Sequence, residues 1–105
     1  MMRLVILESP FEGGKPENLE YLRRCIADCV KRGESPYASH KMLPGALDDL
    51  NPDEREQGIK AGFEWHRRAD AQVVYTDRGI TEGMRRGIEH AALVGLPTEF
   101  RTLGG

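Results

Sequence analysis

The stretch Leu4-Val5-Ile6-Leu7-Glu8-Ser9-Pro10 decides the fold, because four consecutive apolar residues stop at a carboxylate and a turn-forming pair. A short run that is apolar on both faces is typical of a central strand in a parallel sheet, where helices cover both sides. Parallel strands need long crossover connections, which are usually helices. We therefore predict that this strand lies in the middle of an α/β domain.

Helices are predicted at three places after this strand. The first runs from about Pro16 or Asn18 to Arg32, because its apolar residues repeat at i, i+3, i+4, i+7 and i+8 before a glycine ends it. The second begins at Asn51 and runs to about residue 68, and the third begins at Thr81 and ends near residue 95. Asn51 and Thr81 are side chains that can cap the free N–H groups of a first turn.

Further strands are predicted at residues 35–39, at residues 71–75 and from Pro97 through Leu103. Regular alternation of strands and helices implies right-handed crossovers and a parallel sheet of four to five strands between two helical layers. The predicted fold class is therefore three-layer α/β/α, flavodoxin- or Rossmann-like. Residues 1–105 fit one domain of this kind.

Composition and charge limit the classes of function that the sequence supports. The 105 residues include 15 Lys+Arg and 17 Asp+Glu, and a net charge of −2 disfavours broad contact with a nucleic acid polymer. No apolar run approaches the roughly 20 residues of a membrane span, and the first one is too short for a secretion signal, so we expect a cytoplasmic protein without a membrane partner. Cys25 and Cys29 lie one helical turn apart, and we expect two reduced thiols in the core.

In an open parallel sheet, ligands bind beyond the carboxyl ends of the strands. This rule selects four stretches: Glu8 to Gly14, Ser39-His40, Thr76 to Gly83, and the residues after Leu103. The first and third lead into helix N-termini, whose N–H groups suit an anion such as phosphate. The sequence has no Walker motif, no G-x-G-x-x-G fingerprint and no metal-ligand spacing, so we expect neither a metal nor a cofactor.

Several side chains in and near these stretches allow two interpretations. Gly13 and Gly14 either cradle a phosphate or only permit a turn, and His40 either contacts a ligand or caps backbone carbonyls. Asp77 either accepts two sugar hydroxyls or caps the turn before the next helix. His66 is expected to pack or to face solvent, and His90 is expected on the surface.

Five short segments follow one another in an order that resembles a known family: Ser9-Pro10-Phe11-Glu12-Gly13, Asn18-Leu19-Glu20-Tyr21, the strand and loop at 34–40, Ala69-Asp70 before Val73-Val74-Tyr75, and the helix from Gly83-Met84 to Ile88-Glu89-His90-Ala91. The chain resembles the nucleoside 2-deoxyribosyltransferase-like superfamily, especially its small phage and bacterial members. That superfamily cleaves or transfers the N-glycosidic bond of nucleosides or nucleotides. The resemblance therefore implies a nucleoside, a nucleotide or a related ribosyl ligand, and a homodimer or higher homo-oligomer.

The resemblance also implies which residues line the site: Ser9, Phe11, Gly13, Tyr37, His40, Asp77, Glu82 and Gly83. In that site Phe11 would stack on the base or the sugar, and Asp77 would accept sugar hydroxyls. A phosphate would be bound by the amides of Gly13-Gly14 or of residues 81–83.

The nucleophile implied by the resemblance is a glutamate in a G-x-x-x-E-[IL] pattern, but the residue four after Gly83 is Gly87. Glu89 stands two residues further on, which is about 200° around a helix. Catalysis would then depend on Asp77, Glu82 or Glu89 in place of the missing glutamate. Two alternatives to an enzyme stay open: a non-catalytic nucleotide sensor or sequestering protein, and a pure protein-interaction domain.

Overall fold

The computed structural model describes residues 2–11, 14–38 and 51–104. In these ranges, strands and helices alternate along the chain as β1 (Arg3–Glu8), α1 (Pro16–Lys31), β2 (Glu34–Tyr37), α2 (Pro52–Glu64), β3 (Ala71–Tyr75), α3 (Glu82–Leu93) and β4 (Thr98–Arg101). A 3₁₀ turn, Trp65–Arg67, follows α2 directly. None of the helices in the described ranges is long and apolar enough to cross a membrane.

The strands form one parallel sheet in the order β2-β1-β3-β4, so β1 is central as predicted. The chain goes from β1 to β2 on one side and then returns to the other side of β1 as β3. This reversal makes a switch point between the carboxyl ends of β1 and β3, where open α/β sheets bind their ligands. The three-layer α/β/α class is confirmed, with four strands in the sheet.

The two faces of β1 belong to different layers. Val5 and Leu7 pack in a core under α1, together with the free thiols of Cys25 and Cys29. Ile6 points to the opposite face and packs with Ala91 of α3. β1 therefore contributes buried side chains to both helical layers, and burial of each aliphatic side chain stabilises the fold by about 1.5–3 kcal/mol.

The predicted helix caps are confirmed, since Asn51 Oδ1 accepts the N–H of Asp53 at 2.9 Å and Thr81 Oγ1 accepts that of Met84 at 3.2 Å. Three other details differ from the sequence predictions. The α2 helix ends at Glu64 because its last turn tightens into the 3₁₀ turn. The last strand is shorter than predicted, covering Thr98–Arg101. On α3, Ala92 is exposed and Gly87 is buried in the inner stripe instead.

His66 and His90 form a pair between the end of α2 and α3, with their Nδ1 atoms 2.9 Å apart. The ring of Phe63 stacks on His90 at a centroid distance of 4.5 Å. The prediction that His90 lies on the surface is therefore wrong. His66 is buried, and desolvation, with a smaller effect of His90, lowers its pKa to about 4. The His66 ring is consequently neutral at neutral pH.

A buried ion pair joins the two edge strands beneath α1. The Arg101 guanidinium donates to both carboxylate oxygens of Glu34, at 2.7 and 2.6 Å. The two side chains are 8% and 4% exposed, and the hydrogen bonds from Arg101 lower the pKa of Glu34. A desolvated bidentate pair stabilises a fold only while both partners are present.

Arg101→Met is expected to lower the free energy of unfolding by about 3–5 kcal/mol, because it leaves the Glu34 carboxylate buried without its main partner. Chemical denaturation at pH 7 measures the loss. The double variant Arg101→Met/Glu34→Leu is expected to recover most of it, since no uncompensated charge then remains. Equal losses in the single and the double variant would contradict this account.

Candidate functional site

The loop after β1 is fastened to the first turns of α1. Asn18 Nδ2 donates to the backbone oxygen of Phe11 at 3.2 Å, and the N–H of Gly14 donates to the same oxygen at 3.1 Å. Gly14 has a φ of +80°, a conformation that favours glycine, and the Phe11 ring lies against it. Ser9 is buried. The loop thus holds Ser9 and Phe11 at the carboxyl end of β1, while Gly13 lies outside the described residues.

The loop after β3 is fastened to α1 through Asp77. The hydroxyl of Tyr21 donates to Asp77 Oδ1 at 2.5 Å, and the N–H of Leu103 donates to both carboxylate oxygens at 3.1 Å. The hydrogen bond from Tyr21 is the main reason that the pKa of Asp77 is lowered. These contacts give Asp77 a structural function in the turn. Its contact with a ligand stays a prediction.

The other two predicted catalytic carboxylates face solvent. Glu82, in the first turn of α3, is exposed, and its Oε2 lies 3.5 Å from Arg85. Glu89 is also exposed, whereas Gly87 two residues before it is buried. Gly83 is exposed beside Glu82. The catalytic roles of Glu82 and Glu89 stay predictions, but both side chains point away from the interior into which Gly87 faces.

Tyr37 ends β2 on the face of the sheet that packs against α3, and its ring centroid lies 4.9 Å from that of Trp65. Its hydroxyl is buried and has no hydrogen-bond partner among the described residues. Tyr37 and Trp65 also line a cavity of about 250 Å³ that extends along β1 to Leu4. The contact of Tyr37 with a ligand stays a prediction. The predicted His40 lies outside the described residues.

Glu8 is the carboxyl group that the structure places at the switch point. It is half-buried at the end of β1, and strand alternation turns it to the same face as Ile6, beneath α3. A Cβ atom built on Gly87 would overlap this carboxyl group and come within 2.8 Å of its Cδ. The three heavy atoms nearest to that Cβ position all belong to Glu8. Gly87 is therefore required for Glu8 to lie where it does.

The Glu8 carboxyl has an amide as its hydrogen-bond partner. Gln72 Nε2 donates to Glu8 Oε2 at 3.4 Å, and Thr98 Oγ1 donates to Gln72 Oε1 at 3.1 Å, which fixes the orientation of the amide. Gln72 is fully buried. Desolvation raises the pKa of Glu8 from 4.5 to about 8, and the hydrogen bond from Gln72 opposes this only in part. At neutral pH the group is a protonated acid that can donate a proton.

From the sequence, Glu8 ends the first strand and begins one of the four candidate ligand-binding stretches, but no role was predicted for its side chain. The signal that could have identified it is its phase, because it shares the face of Ile6 and not that of Leu7. A second signal is the glycine at position 87, because it lies on the inner stripe of α3, the helix that packs on the Ile6 face of the sheet. In the part of the chain that the structure describes, no group of three or more His, Cys, Asp or Glu side chains is placed to hold a metal ion.

Glu8→Gln is expected to make the protein more stable at pH 8.5, by on the order of 4–5 kcal/mol, and to leave its stability nearly unchanged at pH 4. In the unfolded chain Glu8 ionises near 4.5, whereas the folded protein keeps the proton up to about 8. The wild type therefore loses stability as the pH rises through this window, and the isosteric amide does not. Urea denaturation of both proteins at pH 4, 6 and 8.5 measures the difference. A difference that does not change with pH would contradict the burial of an acid at this place.

The fold is similar to that of solved structures. The 2-deoxyribosyltransferase from the psychrotolerant bacterium Bacillus psychrosaccharolyticus superposes with a TM-score of 0.76 and 16% identity, over 94% of this chain and 72% of that one. The 2-desoxiribosyltransferase from Leishmania mexicana superposes with a TM-score of 0.66 and 12% identity, over 95% of this chain and 64% of that one. At these identities the likeness establishes a shared fold. No curated protein matches the sequence. Residues 3–101 match the family described as "Domain of unknown function (DUF7768)", and the chain therefore belongs to that family.

Proposed function

We propose that this protein binds a nucleoside, a nucleotide or a related ribosyl compound at the carboxyl ends of β1 and β3. The observation that carries the proposal is the desolvated carboxyl of the half-buried Glu8 at the switch point, directly before the anchored loop of Ser9 and Phe11. A desolvated acid with a shifted pKa, in the place where this class of sheet binds ligands, is typical of functional sites.

The groups around this place suit the parts of a nucleoside. The Phe11 ring offers a stacking surface for a base, and the hydroxyl of Tyr37 and the carboxyl of Glu8 offer hydrogen bonds. The N–H groups of Glu82 and Gly83, in the first turn of α3, have no preceding helical carbonyl and are suited to a phosphate.

The two solved neighbours are 2-deoxyribosyltransferases by name, and the shared fold supports a ligand of the same chemical class. Chemistry at the N-glycosidic bond is the activity that this class of ligand permits. A non-catalytic nucleotide-binding protein is the second candidate. It is favoured by Gly87, because the glutamate that the resemblance assigns to that helix position is missing.

A homo-oligomer is also part of the proposal. Phe100 on the edge strand β4 is 59% exposed, and Leu93 at the end of α3 is 81% exposed. Apolar side chains of this size on an edge and a helix end are available for burial against a second copy. Light scattering on the purified protein is expected to give a mass above that of the 11.8 kDa chain, and a monomer at all concentrations would contradict this part.

A thermal-shift screen tests the binding proposal with nucleosides, 2′-deoxynucleosides, their 5′-monophosphates and free bases. A ligand at 100 times its dissociation constant stabilises the folded state by about 2.7 kcal/mol, which raises the Tm of a domain this size by roughly 10 °C. Free bases are the matched control for the contribution of the sugar. Absence of a shift with every compound at millimolar concentration would refute the proposal.

Substitution of Phe11 locates the ligand. Phe11→Leu is expected to raise the Kd of the bound nucleoside about fivefold or more, since base stacking on an aromatic ring contributes about 1–3 kcal/mol. Phe11→Tyr keeps the ring and is expected to keep the affinity. Isothermal titration calorimetry of the three proteins measures the difference, and equal Kd values for Phe11→Leu and the wild type would place the ligand elsewhere.

A further inference from the structure

We infer that Glu8 is the catalytic acid of the site and cleaves the N-glycosidic bond of the bound nucleoside or nucleotide, from the space over Gly87. This inference rests on the proposed function, because it needs the ribosyl ligand at the carboxyl end of β1. It deepens that proposal, because it assigns the chemistry at the N-glycosidic bond to a side chain outside the three carboxylates that the sequence suggested.

The Glu8 carboxyl and a side chain at position 87 would occupy the same volume. The Glu8 carboxyl fills the space that a side chain at Gly87 would occupy, and a Cβ there would meet Glu8 before any other residue. The resemblance assigns a glutamate to that helix position. In this chain the space next to position 87, on the inner face of α3, is therefore occupied by a carboxyl group that comes from the strand.

The three carboxylates that the sequence suggested do not reach the inner face of α3. Asp77 holds Tyr21 and the N–H of Leu103 on the α1 side of the sheet. Glu82 and Glu89 are exposed on α3. Among the described residues, Glu8 is thus the carboxyl group that is both desolvated and in contact with the inner face of α3.

The groups around the Glu8 carboxyl determine its protonation state. The described groups packed around the carboxyl are an amide from β3, a glycine from α3 and, through the amide, a hydroxyl from β4: Gln72, Gly87 and Thr98. None of these titrates. The charged and titratable neighbours on α3 turn elsewhere, because Arg86 pairs with Glu56 at 3.0 Å and His90 pairs with His66. The carboxyl therefore keeps its proton at neutral pH.

The reaction balances with water as the second substrate. The bond between C1′ and the base nitrogen breaks, its electron pair stays on the nitrogen, and the proton of Glu8 passes to the base. The resulting carboxylate lies beside the oxocarbenium-like sugar and stabilises it. Water then adds at C1′ and returns a proton to Glu8, so the products are the free base and the free sugar or sugar phosphate.

Four proteins test this inference: the wild type, Glu8→Gln, Glu8→Ala, and the double variant Glu8→Ala/Gly87→Glu. Each is incubated with deoxyadenosine, deoxycytidine and their 5′-monophosphates, and released base is measured by chromatography. We expect base release by the wild type, at a rate that falls as the pH rises above about 8. Glu8→Gln is expected to lower that rate about 100-fold or more with little change in Kd, as the loss of a general acid does.

The double variant separates a catalytic from a structural role. It supplies a carboxyl group from α3 beside the space that Glu8→Ala has emptied, and we expect it to regain part of the base release that Glu8→Ala lacks. Arg23→Gln, on the exposed face of α1, is the matched control for handling and folding. If the double variant does not fold, the isosteric Glu8→Gln still tests the assignment, because its melting curve shows whether it is native.

The outcomes distinguish the two proposals. Binding by the wild type without any base release, or an unchanged rate in Glu8→Gln, overturns the assignment of Glu8 and leaves the binding site standing. Loss of the rate in Glu82→Gln or Glu89→Gln, with the rate kept in Glu8→Gln, transfers the role to that residue. Absence of a thermal shift with all four probes overturns the binding proposal and this inference with it.

Discussion

The close approach of α3 to the end of β1 is the constraint on which the site depends. At this contact the Glu8 carboxyl lies where any side chain at position 87 would begin. Close packing in protein interiors leaves no room for both groups, so a side chain at position 87 would displace the Glu8 carboxyl from this place or open the contact. The same contact keeps Ile6 and Ala91 buried in one cluster. The contact that packs α3 on β1 therefore also determines the environment of the Glu8 carboxyl.

The polar groups on the two faces of the sheet differ in how completely they are paired. Under α1, ionised and polar groups are paired: Arg101 binds Glu34, Tyr75 donates to Asp28 at 2.7 Å, and Tyr21 donates to Asp77. Under α3, Glu8 has a single long hydrogen bond from Gln72, and the Tyr37 hydroxyl has no partner among the described residues. In the proposed function, the ligand would supply hydrogen-bond partners to the groups of the α3 face that lack them among the described residues.

Local chemistry made much of the fold predictable. Asn51 and Thr81 mark helix starts by capping first-turn N–H groups, and the β3 run at 71–75 is apolar enough to be recognised alone. The end of α2 was not predictable in this way, because the 3₁₀ turn is set where Trp65 meets Tyr37 from another element. Glu8 was missed for the same reason. Its neighbours come from segments far apart in the chain. Only the packing of α3 on β1 shows that Gly87, which has no side chain, leaves the space that the Glu8 carboxyl fills.

The free energy that an acid at position 8 costs the folded state supports the role proposed for Glu8. A glutamine at this position would have nearly the same shape, could accept the same hydrogen bond from Gln72 and would not titrate. The acid instead costs free energy wherever the unfolded chain ionises and the folded one does not, which includes neutral pH. Groups that a fold holds at the expense of stability are typical of binding and catalytic sites, where the strained or desolvated state is itself the useful property. A desolvated acid at the switch point of the sheet can give its proton to a ligand without first being stripped of water, and a carboxylate in solvent, such as that of Glu82 or Glu89, has no such advantage.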